Sequence, residues 1–363
     1  MPNIVGPLIP VSTSMPPLEA HLSHLLHLSN SESTSRVLIE RFYMPRRQAK
    51  ELGLIMSTHI SQGIEFHRQS INAPNRVRPV LQYYSYLNLA TACILAYQPP
   101  GYQGYKHHGV EDKSYKLTHL DLSSALMSMR KGAIPLFHSI ISDETLYNQK
   151  FRFNELLSAI PLLTHELKSV FNINTQQILL NEHLTNINGK FLSHVQFECL
   201  DAFSFKAALL TSSKIERAMP ALHSDYIKED NSPINRLSYR SRIEWSSDVD
   251  ALNWHREKCM KLINFGGHRF IEQTLMEPRV KCIYSWSTVS RKRLLPTLTA
   301  ALLLSFGLSS IARYRPILWK HIEDSELNIL INVFIHESDG MFIPTFRNLL
   351  FREEMCLSHL SAL

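Results

Sequence analysis

Two stretches of this chain gather side chains able to move protons or hold anions. In the loop GYQGYKHHGVEDKS, Lys106, His107, His108, Glu111 and Asp112 lie among three glycines and two tyrosines. Imidazoles with a carboxylate pair just downstream can do acid/base work or ligate a metal. If the backbone there is extended, His107 and His108 point to opposite sides, so the two cannot serve one site equally. The second stretch is LLPTLTAALLLSFGLSSIARYRPILWKH, residues 294–321, where a long apolar run ends abruptly in Arg313, Tyr314, Arg315, Pro316, Trp319 and His321. Phosphate contacts are a third possibility, offered by Arg46, Arg47, Arg76, Arg78, Arg291, Lys292 and Arg293.

The elements that must position these groups can be read from periodicity and breakers. Residues 37–70 alternate at helical spacing, with Pro45 separating two helices and placing Arg46, Arg47 and Lys50 in the first turns of the second. Cations at that end oppose the helix dipole, which points to a partner or a nearby acid; a solvated face is the competing reading. Residues 80–98 form an enclosed helix opened by Pro79 and closed before Pro99 and Pro100. Further helical segments are expected at 122–131 and 153–171. From 176 to 245 the runs become short, alternating and β-branched, with Asn188-Gly189 as a hairpin turn. A third helical block is expected over 248–275, around Gly266, Gly267, His268 and Arg269, and a core helix over 294–312. In that last region Pro316 predicts a break at Tyr314–Arg315, where Arg313 and Arg315 can simply cap the preceding helix.

The expected fold is therefore mainly α with a β-containing middle region. Residues 1–30 are an extended arm, 31–175 the first helical part, 176–247 a β-containing insertion and 248–363 the helical part that completes the bundle. At 363 residues with 44% hydrophobic and 19% charged residues, most of the chain should fold. A net charge of +6 favours acidic or phosphate-rich partners, RNA or DNA among them. The five cysteines are scattered with no CxxC pair, which fits reduced thiols in the cytoplasm. The 294–312 run holds Pro296 and several Ser and Thr, so it reads as a buried core helix, and no membrane association is expected. His21, His24 and His27 recur every three residues, yet only Glu19 stands near enough to complete a shell, so no metal is assigned. No glycine-rich turn joins a strand to a helix, which argues against Rossmann and P-loop nucleotide sites, and no cofactor is assigned.

Three motifs, QYYSYLNLATACIL at Gln82, HHGV at His107 and LLLSFGLSSIARYRPILW at Leu302, together resemble the YaaC-like family of bacterial proteins. The resemblance implies a discontiguous HEPN-like helical bundle and a setting in bacterial antiviral defence. Where the family has Gly-His-Gly, this chain has His-His-Gly, which shifts any role of the loop onto His108. HEPN ribonucleases carry an Arg, four to six residues and a His, and cut RNA without metal. Arg315 with His321 has this spacing, with the arginine stabilising phosphorane charge, the histidine moving the proton and His108 assisting. Arg217 with His223 and Arg352 with His359 match too, and with 22 arginines and 18 histidines in 363 residues about three matches arise by chance. An offset of six along one continuous helix also turns two side chains about 240° apart. The expected function is a nucleic-acid-associated interaction subunit working with a protein partner or as a homo-oligomer; the alternative is a metal-independent endoribonuclease.

Overall fold

The structure, a computed structural model, describes residues 8–99, 107–113, 126–142, 146–200, 211–230, 232–252, 254–255, 268–273, 278–287 and 295–359. The chain divides into two compact units, one of Asn154–Ala300 and a discontiguous one of Ile4–Phe153 with Ala301–Leu363. The fold is mainly α with a β-containing region, and the β region is larger than the sequence suggested.

In the described part of the expected N-terminal arm, Leu8–Thr13 is extended, as strand β1. Residues Pro17–His27 instead form helix α1, because Pro17 suits a first turn and the spacing buries Ala20, His21 and Leu25 on one face. Helix α2 (Ser31–Phe42) is capped by the Asn30 carboxamide, which accepts from the Glu32 and Ser33 N–H groups at 2.9 and 3.1 Å. After the break at Pro45 come α3 (Arg46–Ile71) and α4 (Arg78–Tyr97), packed on each other. The expected helix at 122–131 is, in its described part, strand β3 (Leu126–Met129), the middle strand between β2 (Val110–Asp112) and β4 (Lys150–Arg152). The alternation of Leu126 and Ser128 with Met127 and Met129 suits a strand, and Met127 and Met129 are buried. Helix α5 (Ala133–Ile141) lies between β3 and β4 in the chain.

In the Asn154–Ala300 unit, α6 (Phe153–Ser158) and α7 (Thr164–Ser169) flank a short 3₁₀ turn at Pro161–Leu163. Two long strands follow, β5 (Thr175–Ile187) and β6 (Lys190–Cys199). Asn188 (φ 53°) and Gly189 (φ 78°) close them as a two-residue hairpin, with Ile187 opposite Lys190, as the Asn-Gly pair predicts. Helices α8 (Ser212–Ala218) and α9 (Pro220–Asp225) lead into β7 (Tyr226–Lys228) and β8 (Arg236–Ser241). Beyond 247 the expected helical block is absent from residues 268–273: His268–Gln273 is strand β9 and Pro278–Ser287 is β10. Val280, Cys282, Tyr284 and Trp286 alternate with polar or smaller neighbours, a period of two that favours pairing over a helix. β10 joins β5, Tyr284 opposite Ile178, giving an antiparallel sheet in the order β7-β8-β6-β5-β10-β9. That pairing is why the unit runs from 154 to 300 and not from 176 to 247. The Gly266-Gly267 pair lies outside the described residues.

The chain then forms α10 (Thr297–Tyr314), which is long and apolar enough to cross a membrane, but 83% of it is buried inside the protein, so it serves as a core helix. Arg315 interrupts the helix, and Pro316 starts α11 (Pro316–Glu323), as the sequence predicted. Helix α12 (Leu327–Phe351) packs on α1 and α4, and β11 (Glu354–His359) runs parallel to β1 with Leu8 opposite Glu354. Where α1 meets α12, the wholly buried Arg347 donates to Glu353 Oε1 at 2.6 Å and lies 3.2 Å from His24 Nδ1. Burial and the Arg347 charge push the His21 imidazole down to about 3. Because His21 takes up a proton more readily in the unfolded chain, the helical unit should be at full stability above about pH 6.5 and lose it as the pH falls towards 3. Thermal melting from pH 7.5 to 4 checks this: Tm should drop below about pH 6, and His21→Gln should flatten the decline.

Candidate functional site

The described part of the HHGV loop, residues 107–113, is held by its backbone. The carbonyls of His107 and His108 accept from Ala133 and Ile134, the first N–H groups of α5, at 2.9 and 3.0 Å. Gly109 adopts φ +79°, and a Cβ there would come within 2.7 Å of the Gly132 Cα; a Cβ on Gly132 would come within 2.3 Å of Gly109. Two glycine backbones in contact thus set where the loop turns into β2. From that turn His108 reaches α4, and Asp112, at the end of β2, reaches α10.

Side chains of the loop, of α4 and of the end of α10 meet there. The Tyr83 hydroxyl stands 2.7 Å from His108 Nδ1, and both rings pack near Phe306 of α10. Burial raises the Tyr83 hydroxyl above its ordinary value against the opposing Arg313 charge, so it stays protonated and can donate to Nδ1. Burial, then the Arg313 charge and His107, lower the His108 imidazole, which favours its neutral form. Arg313 donates from Nη1 to the Tyr84 hydroxyl at 2.7 Å and from Nε to the Ser309 carbonyl at 3.2 Å. Its guanidinium also lies 5.5 Å from the Tyr84 ring and 4.9 Å from the Tyr314 ring. No carboxylate pairs with Arg313 among the described residues. Arg315 differs: it is mostly enclosed and ion-paired with Asp112, which also accepts from Ser310 Oγ at 3.0 Å. Glu111 faces outward and takes two bonds from Arg130, at 3.1 and 3.2 Å, besides one from Lys113.

Of the expected catalytic residues, the structure brings His108 and Arg315 into this neighbourhood and leaves His321 exposed on the last turn of α11. Arg46 and Arg47 are exposed at the start of α3, with Arg47 paired to Glu51 at 3.3 Å, and Arg76 is exposed in the turn before α4. The 26 residues of α3 put its two ends about 39 Å apart. Arg78 is buried, 3.1 Å from His336 Nδ1 and 3.7 Å from Asp339. Lys106, Arg291, Lys292 and Arg293 lie outside the described residues.

Sequence reasoning read Tyr83 and Tyr84 as enclosed side chains with internal hydrogen bonds, which they make, but did not join them to the loop, and it passed over a second polar layer. In that layer Asp339 of α12 accepts from Tyr86 and, at 3.2 Å, from Gln82, and lies 3.4 Å from His67 Nδ1. Burial alone would raise the Asp339 carboxyl, but hydrogen bonding and charge from His67, with the Tyr86 and Gln82 bonds, hold it below its ordinary value. The signal was available: Arg78, Gln82 and Tyr86 recur every four residues along α4, a polar stripe inside an apolar helix. In the sheet unit, Ser193 Oγ, His255 and Glu182 follow in hydrolase-like order at 2.7 and 3.3 Å, but Ser193 is wholly enclosed and serves as an internal link. No group of His, Cys, Asp and Glu suited to a metal ion occurs among the described residues.

A family model described as YaaC-like protein matches residues 27–350, which takes in the loop, α4, α10 and most of α12. A search of curated proteins finds no match.

Proposed function

The chain belongs to the YaaC-like family, and we propose that it is a cytoplasmic nucleic-acid-associated subunit, acting with a protein partner in bacterial antiviral defence. The observation that carries the binding reading is Arg313: a guanidinium fixed in place by Tyr84 and Ser309, with no acidic partner among the described residues. A cation so held is ready for a phosphate without first breaking an ion pair. The +6 charge and the exposed Arg46 and Arg76 supply a wider attractive field. The helical unit, whose first and last segments pack together across the sheet-forming middle of the sequence, fits an HEPN-like bundle. The endoribonuclease reading draws less support, since Arg315 is engaged by Asp112 and His321 stands exposed on the last turn of α11. Binding of labelled RNA and DNA between about 50 and 200 mM salt tests the proposal: affinity should fall linearly on a log–log scale, and absence of binding to either at low salt overturns it.

A further inference from the structure

We infer that the turn between α10 and α11 selects unpaired nucleotides, with Arg313 taking a backbone phosphate and Tyr314 stacking on the neighbouring base. This rests on the nucleic-acid reading above and names its substrate class. Tyr314 is 71% exposed although it stands at the end of a helix that is 83% buried, and Ile317, on the first turn of α11, is 75% exposed. Large rings at such a place ordinarily fold back onto the core; this one lies against the Arg313 guanidinium at 4.9 Å. The guanidinium is also held by the Tyr84 ring and hydroxyl, and Tyr84 itself packs on Phe66 and Tyr83 at 5.6 and 5.5 Å. With Nη1 bonded to Tyr84 and Nε to Ser309, the Nη2 amino group remains uncommitted among the described residues. Charge and exposed aromatic ring thus lie within 4.9 Å of each other, close enough for one nucleotide to meet both.

Duplex bases are stacked on each other and show a protein only their edges, so an exposed tyrosine face has nothing to stack on in a duplex. An unpaired base offers its whole face, and any base serves, so the site is tolerant of sequence.

The test is equilibrium binding at fixed salt of one labelled single-stranded RNA, its DNA counterpart and the blunt duplex of the same length. Wild type should prefer both single strands to the duplex. Tyr314→Ala should cut the ratio of single-strand to duplex affinity about ten- to hundredfold, and Tyr314→Phe should restore it. The RNA and DNA arms report whether the 2′-hydroxyl matters. Equal loss for single strand and duplex, or no loss, overturns the inference. Salt-dependent binding without a single-strand preference would sink this inference while leaving the broader reading standing, whereas no binding to any probe removes both. Because Tyr314 is exposed, an unchanged melting curve confirms that the variants are folded.

Discussion

Replacing Asp339 by alanine should destabilise the helical unit by about 3–5 kcal/mol, among the largest effects of any single substitution in this chain. The carboxylate is 4% exposed and is shared by Tyr86, Gln82, His67 and Arg78, from two helices other than its own. Without it the buried Arg78 keeps its charge with no anion beside it, and the His67 imidazole, enclosed on every side, loses its nearest polar neighbour. A pair broken on one side costs more than a pair never made, because the remaining charge cannot return to water. Asp339→Asn keeps the shape and some of the hydrogen bonds, so it should cost less. Chemical denaturation of the full chain, following the transition of the helical unit, reads both. The carboxylate's lowered pKa also has a sign: its contribution is present above the ordinary carboxylate range and fades as the pH falls below it.

Gly132→Ala should cost about 2–4 kcal/mol and, more tellingly, should detach the HHGV loop from its partners. The added Cβ would lie 2.3 Å from Gly109 Cα and N and 2.7 Å from the His107 carbonyl oxygen, all backbone atoms with no rotamer to change. Relief requires moving residues 107–110 away from α5, which pulls His108 from Tyr83 and Asp112 from Arg315. The variant should therefore lose stability and nucleic-acid affinity together. Gly189 makes the contrast: unlike Gly132 it has a left-handed φ, but a Cβ there meets nothing within 4 Å, so alanine at that hairpin costs only the backbone term of about 1 kcal/mol. Equal melting shifts for the two variants would contradict this account of the loop.

What was legible in the sequence followed local rules. Pro45, Pro79 and Pro316 marked helix starts because a missing N–H costs nothing in a first turn, and Asn188-Gly189 marked its hairpin because both residues tolerate positive φ. What was missed depended on distant pairing. Residues 268–273 read as part of a helix until β10, itself fixed by β5 a hundred residues earlier, gave them a partner. The α1 helix was hidden among prolines and serines, and only its packing on α3 and α12 explains why Ala20 and Leu25 are apolar. At the site, the sequence pointed to His108 and to the arginines after the apolar helix. It could not show that Asp112 would take Arg315 and leave Arg313 to the tyrosines, because that choice is made between residues some two hundred positions apart.

The most direct test of the account is the salt dependence of RNA binding by wild type and Arg313→Ala. Removing one phosphate contact should weaken binding at every salt concentration and make the log–log slope shallower by about one. Superimposable titrations would show that Arg313 touches no phosphate and would contradict the account.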